Sequence, residues 1–211
     1  MKRGIAVMML LFAAACSGGL RSNAPPAQTY FLRALAPQVP SMVAAKPAAG
    51  TLRVARPLPA PGLGSDHIVI VQPDHRMSYY AASQWPEELP RVVEALAVER
   101  LRATGDWAAV TGSDSAISSE YFLQIAIRRF EAEYTSDSAP PTAQVAFDCA
   151  FGRRGDQMLL ASFSAQGAAV ASANRVGAVV AAFEEAANAA LSEVTAHSIA
   201  AVRNSQVPSN P

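Results

Sequence analysis

Hydrophobic positions along this chain change period several times, and the changes mark out its elements. From Thr51 the alternation is that of strands. TLRVARPL (51–58) puts Leu52 and Val54 on one side, HIVIVQ (67–72) is a dense β-branched run, and RMSYYA (76–81) follows a Pro73-Asp74 turn, which predicts a hairpin. Across 85–104 the period lengthens: Leu89, Val92, Val93, Leu96 and Leu101 recur at steps of three and four, and Glu87, Glu88, Arg91, Glu94, Glu99, Arg100 and Arg102 fill the remaining positions. Pro90 suits a first helical turn and Gly105 a stop, so this segment predicts an amphipathic helix.

Period two then returns in WAAV (107–110), YFLQIAIRRFEAEY (121–134), TAQVAFDCAF (142–151) and QMLLASFSAQ (157–166). In the longest of these, Tyr121, Leu123, Ile125 and Ile127 share a face and Phe130 resumes it out of phase, which predicts a bulge at Arg128-Arg129. Val176, Val179, Val180, Phe183, Ala187, Ala190, Leu191 and Val194 trace a second long helix. Upstream, TYFLRAL (29–35) reads as a further strand and 36–50 as an Ala/Pro loop, while RNSQVPSNP (203–211) reads as a disordered tail. Together these elements predict an α+β fold within the α/β class. It is a two-layer sandwich: a mostly antiparallel sheet of five to seven strands with two long helices on one face.

The first 28 residues follow none of these patterns. Lys2 and Arg3 precede an uncharged apolar run, Ile5 to Ala15, which suits the centre of a secretory signal and is too short to span a bilayer. Small residues lead into Cys16, and Ser17-Gly18-Gly19 follow, an arrangement that resembles the bacterial lipobox. There the cysteine thiol, as nucleophile, accepts a diacylglyceryl group and becomes the first residue of the mature chain. The alternative is a simple cleavage that leaves Cys16 incidental. One acyl chain holds only marginally, whereas a lipoprotein's two or three hold durably. Residues 17–28, rich in Gly, Ser and Pro, form a tether that reaches roughly 40 Å when extended. The expected layout is a leader at 1–15, the lipidated Cys16 and tether at 16–28, one domain at 29–203 and the tail at 204–211.

Composition narrows the function classes. At 51% hydrophobic and 16% charged, the 211 residues can fill one core, though much of the apolar fraction is alanine. The formal charge is zero and falls to −2 once Lys2 and Arg3 leave with the leader, so nothing points to nucleic acid. Cys149, alternating with Val145, Phe147 and Phe151, reads as a buried thiol. Asp66-His67 and Asp74-His75 repeat at eight residues. Two such ligands without a third make a poor metal site, and turn and edge positions account for them. Phosphate loop, nucleophile elbow and zinc-protease helix are all missing, so the expectation is a protein that is not an enzyme, with no cofactor and no metal. Trp85 and Trp107 bracket the first helix, either as core residues or as contacts to a partner or lipid. Of the adjacent Tyr79 and Tyr80, one must face outward in a strand. Trp85, Tyr79 and Tyr80 are therefore the candidate partner interface.

The order of segments carries a resemblance. The lipobox cysteine and tether, Tyr30-Phe31-Leu32, Leu52-Arg53-Val54, Leu58-Pro59, Ile68-Val69-Ile70-Val71, Tyr79-Tyr80 and above all Trp85-Pro86-Glu87-Glu88-Leu89 resemble the ABC-type transport auxiliary lipoprotein family. Its best-known members serve paraquat-inducible and related MCE-type lipid transport systems. The resemblance implies a membrane-anchored periplasmic lipoprotein, partnered with an MCE-domain protein and an ABC permease and ATPase, that helps lipids pass between inner and outer membranes. Ser17 after the cysteine implies the outer membrane, with the outer leaflet of the inner membrane as the alternative; homo-oligomerisation is left open. Two other readings compete: an envelope lipoprotein of lipopolysaccharide or cell-wall assembly, and a periplasmic hydrolase using His67 and His75.

Overall fold

The computed structural model describes residues 26–35, 47, 49–136 and 138–206. The leader, Cys16, most of the tether and residues 207–211 lie outside the described residues. Among the described residues nine strands and two helices follow in order: β1 (Gln28–Thr29), β2 (Ala49–Val54), β3 (Leu58–Pro59), β4 (His67–Val71), β5 (Met77–Gln84), α1 (Leu89–Ala103), β6 (Trp107–Thr111), β7 (Tyr121–Glu133), β8 (Thr142–Arg153), β9 (Met158–Val170) and α2 (Val176–Gln206).

The spine is β7. Along one edge it pairs with β8 in an antiparallel ladder over its whole length, and β8 pairs likewise with β9. Along the other edge it meets three short strands in succession, all parallel: β2 at Tyr121–Leu123, β3 at Ala126–Ile127 and β4 at Ala132–Glu133. Outside these, β6 runs parallel to β2, β5 folds back on β4 as the predicted hairpin, and β1 runs parallel to β5. Because the long ladders are antiparallel, the sheet is mostly antiparallel, as the alternation implies.

Strand number exceeds expectation, and the surplus lies in pieces of two residues. TLRVARPL is not one strand. Ala55 still donates to the Leu123 carbonyl (2.9 Å), but Pro57 has no N–H to give β7, so pairing breaks and restarts at Leu58. TYFLRAL is not a strand beyond Thr29: after the Tyr30 N–H meets the Gln84 carbonyl at 2.9 Å, the chain leaves the sheet and crosses the helices. The bulge in β7 falls between Ile127 and Arg129, and it returns Phe130 to the buried face.

One face of the sheet carries both helices. Leu89, Val93, Leu96, Ala97 and Leu101 turn the buried stripe of α1 inward; Pro90 sits in its first turn and Gly105, at φ +72°, ends it. In α2 the alanine-rich stripe admits a close approach to β8 and β9. The buried Val202 keeps this helix packed to its end, so Asn204–Gln206, expected in the tail, are helical. The two tryptophans each seed an aromatic cluster in the common core. Trp85 meets Phe130 and Phe183 edge-on at 6.0 and 5.5 Å, and Trp107 meets Tyr121 and Phe151, both at 5.9 Å. A buried side chain of this size contributes about 1.5–3 kcal/mol.

Candidate functional site

Trp85, Tyr79 and Tyr80 do not form one surface. Trp85 is 1% exposed, enclosed by Phe130 and Phe183, and so is corrected from interface to core. Tyr80 is half-buried; its hydroxyl sits 2.7 Å from that of Tyr134, which donates to Asn174 Oδ1 at 2.7 Å. Burial, then the hydrogen bond with Tyr134, pushes the Tyr80 phenol up from its ordinary value. Tyr79 alone faces outward, 44% exposed, with its ring against the edge of His67 at 4.9 Å. Cys16 lies outside the described residues.

The two histidines of the hydrolase reading, His67 and His75, are not brought together. His67 Nδ1 is held by Asp66 at 2.9 Å, whereas Asp74 turns to Arg76 at 2.5 Å, which lowers the Asp74 carboxyl below its usual range. His75 occupies the β4–β5 turn at φ +65°, at the far end of β4 from His67, and His197 stacks on Phe163. Among the described residues no three His, Cys, Asp or Glu side chains gather as metal ligands. Cys149 is buried, and burial first, then the nearby Asp148 charge, pushes its thiol up to about 12, where it is a poor nucleophile.

What the sequence reading missed lies where the tether enters the domain. Residues 30–35 form an extended strap over the helical layer, and side chains replace strand partners. The Arg33 N–H donates to Glu184 Oε2 at 3.0 Å and the Leu35 N–H to Asn188 Oδ1 at 2.7 Å. Asn188 Nδ2 donates in return to the carbonyls of Arg33 (2.9 Å) and Glu184 (2.7 Å). From α1, the Arg100 guanidinium donates to the Leu35 carbonyl and, at 2.9 Å, to Ser192 Oγ. A signal existed: Asn188 is a polar residue inside the apolar stripe of α2, and a buried amide of this kind needs partners.

Beside the strap runs a groove of about 470 Å³, lined by Phe31, Leu32, Arg91, Val92, Glu94 and Val98 among others. Glu94 Oε1 accepts the Ser113 N–H at 2.5 Å, while Arg91 pairs with Asp114 at 2.5 Å and lowers that carboxyl. The arrangement offers a binding surface of mixed apolar and charged lining. Among the described residues no helix is long and apolar enough to cross a membrane.

A sequence model of the ABC-type transport auxiliary lipoprotein component family matches residues 30–195. The chain belongs to that family. The match opens on Tyr30, so the strap is part of the auxiliary component's domain rather than of its tether. Among solved structures, protein XCC0632 from Xanthomonas campestris, of the DUF330 family, is similar at 26% identity; the likeness covers 86% of this chain and all of that one, with a TM-score of 0.75. A further crystal structure, of an uncharacterised protein, has the same fold at 12% identity, covering 72% of this chain and 99% of that one, with a TM-score of 0.57. No curated protein matches the chain.

Proposed function

We propose that this auxiliary component is anchored through Cys16 to the periplasmic face of the outer membrane and serves an MCE-type ABC system that moves lipids between the two membranes. Its partners are an MCE-domain protein and, through it, the permease and ATPase. The family match over 30–195 carries the reading. The leader, Cys16 and Ser17 support the anchor and its membrane, and a chain without a phosphate loop leaves energy to a separate ATPase. Recovery of the native protein from membranes in mild detergent is expected to bring an MCE-domain protein with it. Recovery of lipopolysaccharide- or cell-wall-assembly proteins in its place would overturn the MCE assignment. Cys16→Ser is expected to move the protein from the membrane to the soluble periplasmic fraction.

A further inference from the structure

The groove beside the strap holds a carboxylate that the fold leaves half satisfied. Glu94 lines the groove and is only 7% exposed. Its Oε1 is fixed by the Ser113 N–H, but its Oε2 is buried with no hydrogen-bond partner among the described residues. A buried carboxylate oxygen without a donor costs free energy that a donor brought from outside returns. Gly112 keeps room for the group, since a Cβ there would stand 2.8 Å from Glu94 Oε1. Arg91, one turn away on α1, does not bond to it: that guanidinium is held by Asp114 at 2.5 Å and lies 3.8 Å from Glu87.

The walls and the surrounding charges decide what chemistry brings that donor. Phe31, Leu32, Val92 and Val98 make the walls apolar, and the Phe31 ring, 67% exposed, is open to a cation or an aliphatic stem. Around them the carboxylates of Glu87, Glu88, Glu94, Glu99 and Asp114 outnumber the guanidiniums of Arg33, Arg56 and Arg91. Two of those guanidiniums are already engaged, Arg56 by Glu88 and Arg91 by Asp114. A phospholipid amine would bring its own phosphate among these carboxylates, and a bare polyamine would leave the apolar walls wet. A volume of about 470 Å³ suits a few side chains rather than a folded element.

We propose that the groove receives a lysine or arginine of a partner protein, flanked in its own chain by apolar residues. The terminal torsion of a glutamate is soft, so Oε2 of Glu94 turns to the entering head and accepts a charge-assisted hydrogen bond. The stem and its apolar neighbours lie against Phe31, Leu32, Val92 and Val98. Because the strap supplies Phe31 and Leu32, the site is complete only while Asn188 and Arg100 hold the strap on the helices. The inference is independent of which transport system the protein serves.

The test uses the full lipidated chain in phosphatidylcholine nanodiscs, titrated with a fluorescein-labelled, amidated peptide of sequence Leu-Lys-Leu-Arg-Leu and read by anisotropy. Saturable binding is expected, and a diazirine-bearing copy of the peptide is expected to crosslink within 31–32 and 86–99. Glu94→Gln keeps an acceptor for the Ser113 N–H and is expected to weaken binding about tenfold. Phe31→Ala, a change at an exposed side chain, is expected to weaken it about threefold. Asp74→Asn, in the β4–β5 turn, is expected to leave it unchanged. A peptide with glutamate at both basic positions is expected not to bind. Absence of saturable binding overturns the proposal, as do crosslinks elsewhere, equal binding of the acidic peptide, or binding that Glu94→Gln and Phe31→Ala both leave unchanged. Displacement of the probe at equal concentration by dihexanoyl phosphatidylethanolamine gives the groove to a lipid amine, and displacement by spermidine gives it to a free cation. Tighter probe binding by a Lys46→Gln chain gives it to the chain's own residues 36–46. Each of these three results also overturns the assignment to a partner protein.

Discussion

Trp85 and Tyr79 stand six positions apart and differ almost completely in what they cost to lose. Trp85→Ala empties an aromatic cluster, and a loss of about 3–5 kcal/mol in denaturant unfolding is expected. Tyr79→Ala, at the surface, is expected to stay within about 0.5 kcal/mol. The alternation of a strand shows that one of two adjacent tyrosines faces outward. It does not show whether a tryptophan at a helix entrance turns in, because the nearby segments that enclose Trp85, in β7 and α2, are remote in sequence. Cys149 gives a pH test. Its folded-state pKa is raised by burial, so the thiol's contribution is complete below the unfolded value near 9 and is lost as pH rises toward about 12. Thermal unfolding of the wild type is expected to weaken above pH 9, and that of Cys149→Ala to weaken less over the same window. Iodoacetamide is expected to label Cys149 only after unfolding.

At the scale of elements, the strap is the least legible part and the most specific in its bonding. Periodicity located both helices, the hairpin and even the bulge in β7, since each is a local pattern of burial. TYFLRAL has the same alternation, yet past Tyr30 its backbone groups meet Asn188, Glu184 and Arg100, more than sixty residues away. Nothing local distinguishes an extended segment satisfied by side chains from one satisfied by a strand. Asn188→Ala removes the acceptor of the Leu35 N–H and the donor to the Arg33 carbonyl. A loss of about 1–3 kcal/mol is expected, with faster amide exchange at Leu35 and early protease cleavage within 30–35, while far-ultraviolet circular dichroism keeps the helical signal of α2.

For the molecule as a whole, the two-layer architecture and the family were legible because they depend on the order of segments. The succession of β2, β3 and β4 along one edge of β7 was not, because parallel register is set between residues about sixty positions apart. It follows that β2, β3 and β4 have no common neighbour without β7. A fragment ending at Gly112, before β7, is expected to show no cooperative thermal transition, whereas the chain through Gln206 unfolds in one.

That dependence on β7 also sets an order in time. The hairpin of β4 and β5 and the meander of β7, β8 and β9 can each close locally, but joining them means closing a long loop, which is slow. A chain delivered amino end first presents the HIVIV run with one edge unpaired until about sixty further residues have followed. An unpaired apolar strand edge invites mispairing with other chains. The period between the arrival of β4 and that of β7 is therefore when this protein is most exposed to aggregation and has most need of a holding chaperone.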